Sequence, residues 1–516
     1  MPMRDGVADA RAGSRGMESF AAATAALLML RLALAALIPL GDDEGYYWVW
    51  SRHPALGYFD HPPFVAWLAG ASVQLLGVSR FAMRLPFVLL GTATALLLRR
   101  LVCDVTADRR LADRAALLVQ ITPIHFGLGL LVAPDGPLLF FWMITALAAW
   151  RAWSRMDGAR AGPWRAIGTI GIPLGAALTA KYVALLIPFS LGAWLAASRR
   201  PRPWPAWICA CALALVLFAP VVWWNAHHDW ASFRYQFQSR HSGASFHLDR
   251  FGTYVASQLG FLSPIVFALV TAAALRLGSW SGLERASGES FLWWMGAPTL
   301  LVFAIAGAVT SFKPNWPAAG YLTMIPLALR GLDRRAPARS RMIERAAIGL
   351  ALASVLLVAA HAVRPFVPLP GEADPTRDMR GWPAAARAAE RAAADLRARA
   401  PRGSKPPFFA AGRYPNASRL EFSLPDHPAV ICLAPERDAY DDWQDLDSLR
   451  GRDCVFVSSS RFPASLEQLA RVRGARIFEI VRAPAGPRTV HVITVQEGNG
   501  FAPPPAVQRQ TRGRSR

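Results

Sequence analysis

The sequence predicts a mainly α-helical, polytopic membrane bundle of about eleven transmembrane helices, followed by a small C-terminal α/β extracytoplasmic domain. Three observations predict it. Hydrophobic residues make up 53% of the 516 and charged residues only 18%, against roughly a quarter charged in soluble domains. Apolar runs long enough to cross a bilayer recur up to residue 363. The loops between them alternate between arginine-rich and arginine-poor, the signature of spans that cross back and forth.

Residues 1–17, MPMRDGVADARAGSRGM, are polar and read as a disordered cytoplasmic N-terminus. The apolar run that follows carries no small-residue cleavage signal, so it reads as an uncleaved signal anchor. The candidate spans are 18–40, 80–101, 111–131, 135–151, 165–180, 182–198, 205–224, 256–276, 290–310, 315–330 and 346–363. The shorter amphipathic stretch PPFVAWLAGASVQLLG (62–77) reads as lying along the surface or re-entrant. Residues 18–363 thus form one membrane domain with outer loops at 41–79 and 224–255. The proline-rich break RPFVPLPGEADP ends it. An Ala/Arg helix over 383–400 and the β-rich runs AVICLA, CVFVSS, ARIFEIV and TVHVITV then make an α/β domain over 364–497. Residues 498–516 read as a disordered basic tail.

A formal net charge of +21 invites a nucleic-acid reading. No RNA- or DNA-binding motif accompanies it, and the arginines cluster between apolar spans, so no nucleic-acid partner is expected. The loops holding Arg99–Arg114, Arg151–Arg165, Arg199–Arg202, Arg276–Arg285 and Arg330–Arg345 face the cytoplasm. The GDDEGYYW segment, the APD turn, the 224–255 loop and the KPNWP turn therefore face outward together. An odd span count puts everything after residue 364 outside. The five cysteines show no metal-binding spacing. Cys103, Cys209 and Cys211 lie in or beside apolar spans. Cys432 and Cys454 lie in the outer part, where an oxidising compartment would let them join, and a disulfide between them is expected.

The unusual polar residues of the membrane region fall on one face. Asp42, Asp43 and Glu44 end the first span, Asp60 and His61 sit in YFDHPP, and Asp135 sits at an outward turn. Ionisable groups this close to a bilayer are costly unless solvated or functional. An ordinary solvated helix end or aspartate turn is the plainer account of each taken alone. Lysine usage narrows the choice: the chain has three lysines, and Lys181 and Lys313 both fall at outward turns. A compact ammonium used so sparingly suits a phosphate contact. The outer loop adds His227, His228, Arg234, Arg240 and His241 among aromatic residues, a mixture suited to a lipid-phosphate headgroup.

Glycosyl transfer from a lipid-phosphate sugar uses carboxylates and cations at such a surface. The leaving group is a phosphate with a second pKa of about 6, so no general acid is required. One carboxylate to deprotonate the acceptor hydroxyl, with cations on the phosphate, suffices.

The ordered set GDDEGYYWVWS, YFDHPPFVAWL, APDGPLLFFW, TAKYVALL and SFKPNWPAAGYL resembles bacterial membrane glycosyltransferases of the GT-C class. The similarity is to the family-39 group, related to protein O-mannosyltransferases and the aminoarabinose transferase of lipid A, and it covers about residues 18–330. It implies a GT-C transmembrane catalytic domain, a polyprenyl-phosphate sugar donor and inversion at the anomeric centre. The acceptor would be lipid A, another envelope glycan or lipid, or a protein. The DE of the first outer loop falls on Asp43 and Glu44, making Asp43 the general base, with Asp42 an extra acid. Asp60 matches the acid that positions substrate or metal, and Asp135 the aspartate of the PD turn. Lys181 matches the lysine opening the sixth span. His61 stands where the aminoarabinose branch has lysine, a departure bearing on both the phosphate contact and the sugar. Lys313 and Arg240 join the phosphate site by placement alone. A divalent metal is a possibility the resemblance raises, with no ligand spacing to identify it. The alternatives are a transporter or flippase for a lipid-linked or anionic solute, for which Arg31 within the first span is the one clear mid-span candidate, a polymerase or ligase using a diphosphate-linked oligosaccharide, and a structural scaffold.

Overall fold

The computed structural model describes residues 3–154, 163–197, 204–238, 245–276, 288–310, 312–369, 374, 376–487 and 490–504. The chain divides into two compact units: Met1–Ala36, His61–Leu68 and Ser72–Leu357 form the first, and Leu37–Asp60, Ala69–Ala71 and Val358–Arg516 the second.

The first unit is helical. Five of its described helices are long and apolar enough to cross a bilayer: Met17–Leu37, Arg80–Thr106, Trp204–His227, Gly288–Val309 and Pro337–Val363, the last continuing into the second unit. A sixth candidate is the pair Leu248–Leu262 and Pro264–Leu275, bent by 114°. The break has a local cause, since Ser263 sits at φ +78° and Pro264 follows it, and proline cannot continue the preceding helix. The other apolar runs are shorter helices. The run at 111–131 is interrupted by Pro123 into Arg109–Ile121 and Pro123–Leu128. The run at 182–198 begins as a 3₁₀ turn over Tyr182–Leu185 before Leu186–Ala197. Helix Met3–Leu37 starts well ahead of residue 18.

With lipid outside, helices gain from close backbone approach rather than from water exclusion. A Cβ built on Gly296 would lie 2.6 Å from the Gly320 carbonyl oxygen, so glycine is what lets helix Gly288–Val309 meet helix Ala318–Arg335. Arg31, the mid-span charge that a transport reading would use, is buried. Its Nη2 donates to the Gln120 carbonyl at 2.9 Å and its guanidinium lies 4.8 Å from the Phe126 ring centre, contacts that tie helices together.

The second unit carries a five-stranded mixed sheet in the order β2–β1–β3–β5–β4. The strands are β1 (Phe408–Ala411), β2 (Val430–Cys432), β3 (Cys454–Ser459), β4 (Gly474–Pro484) and β5 (Val490–Asn499). β1 runs parallel to β2 and β3, while β5 pairs antiparallel with β3 and β4. The parallel centre is buried along its length, which explains the unbroken apolar runs FFAA and CVFVSS. The Ala-rich helix Trp382–Arg399 buries Ala385, Ala386, Ala388, Ala389, Ala392 and Ala393. A second helix, Tyr414–Ser423, makes the crossover between β1 and β2.

Two expectations are corrected here. The ordered chain runs past residue 497: β5 continues to Asn499, and Phe501 is fully buried against Phe408, ring centres 5.2 Å apart. Cys432 and Cys454 are both buried free thiols. The sheet order is the reason. Cys432 pairs with Ala411 and Cys454 with Phe408 on opposite sides of β1. Two strand spacings, roughly 10 Å, already exceed the span of about 7 Å that a disulfide bridges. The Cys432 thiol donates instead to Asp438 at 3.3 Å. Burial pushes the Cys454 thiol up to about 12, so it is inert while the domain is folded. Maleimide labelling of denatured, unreduced protein should therefore count all five thiols, with no increase after reduction; a gain of two on reduction would show a disulfide.

Candidate active site

Within the second unit, the acidic segment is the first turn of the helix Asp42–Arg52. Carboxylates there complement the positive end of the helix dipole. The three acids have separate fates. Glu44 is buried and its Oε2 accepts from the backbone N–H of Gly41 at 2.8 Å, closing one of the orphan donors of the helix end. Asp42 forms ion pairs with Arg419 and, at 3.0 Å, with Arg461. Asp43 is half-buried and its Oδ1 accepts from the Tyr414 hydroxyl at 3.1 Å.

Helix Tyr414–Ser423 is the platform for these contacts. Gly45 sits over Ser418, whose Oγ lies 3.0 Å from where a Gly45 Cβ would stand. Trp48 packs edge-on against Phe422 at 5.1 Å, and Arg52 pairs with Glu421 at 2.5 Å. The acidic helix is thus fixed at its start, middle and end. Arg419 is fully buried, and burial lowers its guanidinium to about 9. Burial likewise raises Glu421 to about 7.

A tyrosine cluster surrounds the acids. Tyr46 stacks on Tyr414 at 4.2 Å and donates to Asp60 Oδ2 at 3.0 Å, while its oxygen accepts from Ala439 N–H at 2.7 Å. Burial, then the charges of Asp60 and Asp438, push Tyr46 well above the usual phenol range; burial, then Asp43 and Asp60, do the same to Tyr414. Both phenols remain neutral donors. Asp438, which caps the turn at Tyr440, is raised to about 8 by burial and by Asp441.

Within the first unit, Asp135 opens helix Asp135–Ser154 and Lys181 sits in extended conformation at the break between Pro163–Ala180 and Tyr182–Leu185. The ammonium contacts both Asp135 oxygens at 2.8 Å, and Asn315 Nδ2 donates to Oδ2 at 2.9 Å. Both side chains are buried. The break at Lys181 is braced by the Tyr182 hydroxyl, 2.8 Å from Ser232 Oγ on helix Ala231–Phe237. Lys313 is exposed, and it is Asn315 of the same KPNWP turn that reaches the buried pair. His61 is half-buried and belongs to the first unit, whereas Asp60 belongs to the second. His227 and His228 turn back on their own helix, each Nδ1 lying 2.8 Å from the carbonyl four residues earlier. Arg234 is exposed, and Arg240 and His241 lie outside the described residues.

No group of three or more His, Cys, Asp or Glu side chains that could hold a metal ion occurs among the described residues. Asp42 and Asp135 have cationic partners, Asp43 and Asp60 accept from phenols, and Glu44 accepts from a backbone N–H. Sequence reasoning missed Tyr414, Arg419 and Asn315. The first two lie on a ten-residue helix between short strands, whose one clear signal is the proline at its second position.

Residues 60–224 match the family described as dolichyl-phosphate-mannose-protein mannosyltransferase. The chain is 27% identical over 293 residues to the lipid A galacturonosyltransferase RgtD of Rhizobium johnstonii, covering 56% of this chain and 59% of that protein. It is 27% identical over 270 residues to the undecaprenyl phosphate-alpha-4-amino-4-deoxy-L-arabinose arabinosyl transferase of Edwardsiella ictaluri, covering 50% and 48%. The crystal structure of ArnT from Cupriavidus metallidurans in the apo state superposes with a TM-score of 0.61 at 14% identity, covering 94% of this chain and 98% of that one. The same protein bound to undecaprenyl phosphate gives 0.59 at 13% identity, covering 93% and 97%. The chain is thus similar in sequence to lipid-linked sugar transferases over part of its length, and its likeness to the solved structures shows a shared fold. The alignments span about half to three-fifths of the two curated relatives' own lengths. Asp60, His61, Asp135 and Lys181 lie inside the family match, and Asp43, Glu44, Arg240 and Lys313 outside it.

Two outcomes follow from these buried charges. Removing one partner of a buried ion pair costs about 3–5 kcal/mol, so Lys181→Met or Asp135→Asn alone should lower the thermal stability of the detergent-solubilised protein. The double variant should recover most of the loss; a double variant as unstable as the sum of the singles would deny that the pair acts as a unit. For Asp438 the folded state holds its proton up to about 8 while the unfolded chain releases it near 4. Stability relative to Asp438→Asn should therefore fall as pH rises through that window and level off above it. Melting curves across pH check this, and parallel curves for the two proteins would refute it.

Proposed function

We propose that this membrane enzyme transfers a sugar from a polyprenyl-phosphate donor to an extracytoplasmic glycolipid of the lipid A type, with inversion, and that Asp43 deprotonates the acceptor hydroxyl. The observation that carries the assignment of the base is the division among the three adjacent acids. Asp42 is committed to two arginines and Glu44 to the helix terminus, whereas Asp43, half-buried like Asp42, meets a neutral phenol on one oxygen. Support for the donor and acceptor comes from the curated relatives, one a lipid A galacturonosyltransferase and the other an undecaprenyl-phosphate aminoarabinose transferase.

In this reading the phosphate leaves unprotonated, and cations stabilise it as the glycosidic bond breaks. Lys181 is the first candidate, exchanging Asp135 for the donor phosphate, with His61, Lys313 and Arg240 further cations on the donor and Asp60 positioning substrate. The eleven-span topology of an inner-membrane protein, with residues 364–497 on the periplasmic side, belongs to the same proposal.

The test compares envelope glycolipids by mass spectrometry in a strain lacking the gene, complemented with wild-type protein or with Asp43→Asn. One defined sugar should be missing from lipid A in the deletion and restored by wild type. Asp43→Asn should restore it at least a hundredfold less well. Full modification by Asp43→Asn would remove Asp43 as the base.

A further inference from the structure

We propose that Tyr414, on the crossover helix of the α/β sheet, is a positioning residue for the Asp43 carboxylate, which makes that helix part of the catalytic machinery. The proposal rests on Asp43 being the base.

Three observations support it. The Tyr414 hydroxyl donates to Asp43 Oδ1 at 3.1 Å, which sets the plane of the carboxylate and so the direction in which it can take a proton. The Tyr414 ring is itself held, stacked on Tyr46 at 4.2 Å and 29°. Tyr46 is in turn fixed through its oxygen, between Ala439 N–H and Asp60. Finally, the two helices cannot slide past one another: Asp42–Arg419 locks one end, Gly45 over Ser418 the middle and Arg52–Glu421 the other end. A base carried on a helix terminus would otherwise sample several rotamers, and small misplacements of a reacting group cost large factors in rate. The phenol supplies the missing constraint. It does so as a neutral donor, because its buried, acid-flanked setting keeps it protonated.

The same cluster contains its own control. Tyr440 stacks on Tyr46 at 6.0 Å, but its buried hydroxyl has no hydrogen-bond partner among the described residues. Deleting that hydroxyl should change little.

The experiment uses the full-length protein in detergent, with membrane extract from a strain lacking the gene as the source of both lipid donor and glycolipid acceptor. The mass gain of the glycolipid is read for Tyr414→Phe, Tyr440→Phe and Asp43→Asn. Tyr414→Phe should lower the maximal rate roughly tenfold with little change in the half-saturating amount of donor extract. Tyr440→Phe should track wild type. Wild-type rate in Tyr414→Phe would overturn the proposal while leaving Asp43 in place if Asp43→Asn is inactive. Equal losses in Tyr414→Phe and Tyr440→Phe would also overturn it by reducing Tyr414 to ring packing. Full activity in Asp43→Asn would remove the base assignment and Tyr414 with it.

Discussion

The buried arginine of the second unit constrains everything around it. Arg419 is enclosed by protein, and a guanidinium removed from water is tolerated when carboxylate and carbonyl oxygens replace its hydration. It finds them in Asp42, at the start of the acidic helix, and in the backbone oxygen of Asp378, at 2.6 Å. Breaking a buried pair of this kind costs several kcal/mol, so the crossover helix and the acidic helix are held as one body. The placement of Asp43 beside Tyr414, and of Tyr46 beside Asp60, follows from that docking.

The helical bundle was legible because its signal is redundant. Each span needs only a long apolar run, and the arginine alternation orders the runs without reference to any single residue. The breaks were less legible: proline and a strained serine interrupt apolar stretches at 121–123 and 263–264, and hydropathy averages over them. Four of the five strands were legible from their apolar or alternating runs. β1, four residues long, and the helix that follows it were not. That helix is too short for its period to stand out, and its most informative residues, Arg419 and Glu421, are charged residues that burial statistics place outside.

For the candidate site, sequence singled out residues without indicating which of them touch. Asp135 and Lys181 were each singled out by placement, yet 46 positions separate them, and nothing in the sequence says that the ammonium grips both carboxylate oxygens. Lys313 stands out in KPNWP for its charge, whereas nothing in the sequence marks the neutral Asn315 of the same turn, whose amide donates to the paired Asp135 carboxylate. The expected Cys432–Cys454 bridge failed for a topological reason that spacing cannot reveal: chain order places the two cysteines in successive elements, but β1 is inserted between them in the sheet.

Why does the segment carry three acids rather than one? Consecutive residues on a helix point about 100° apart, so Asp42, Asp43 and Glu44 cannot share a partner. One side faces the arginines of the sheet-bearing unit, the next faces the tyrosine cluster, and the third folds back over the helix start. With Asp43 as the proposed base, anchor, reactant and cap each need a carboxylate, and the geometry of a single turn supplies three separate directions. A lone aspartate at position 43 would lack both the cap that orients its helix and the ion pair that holds that helix against Tyr414. The cluster is better understood as one supported residue than as three candidates.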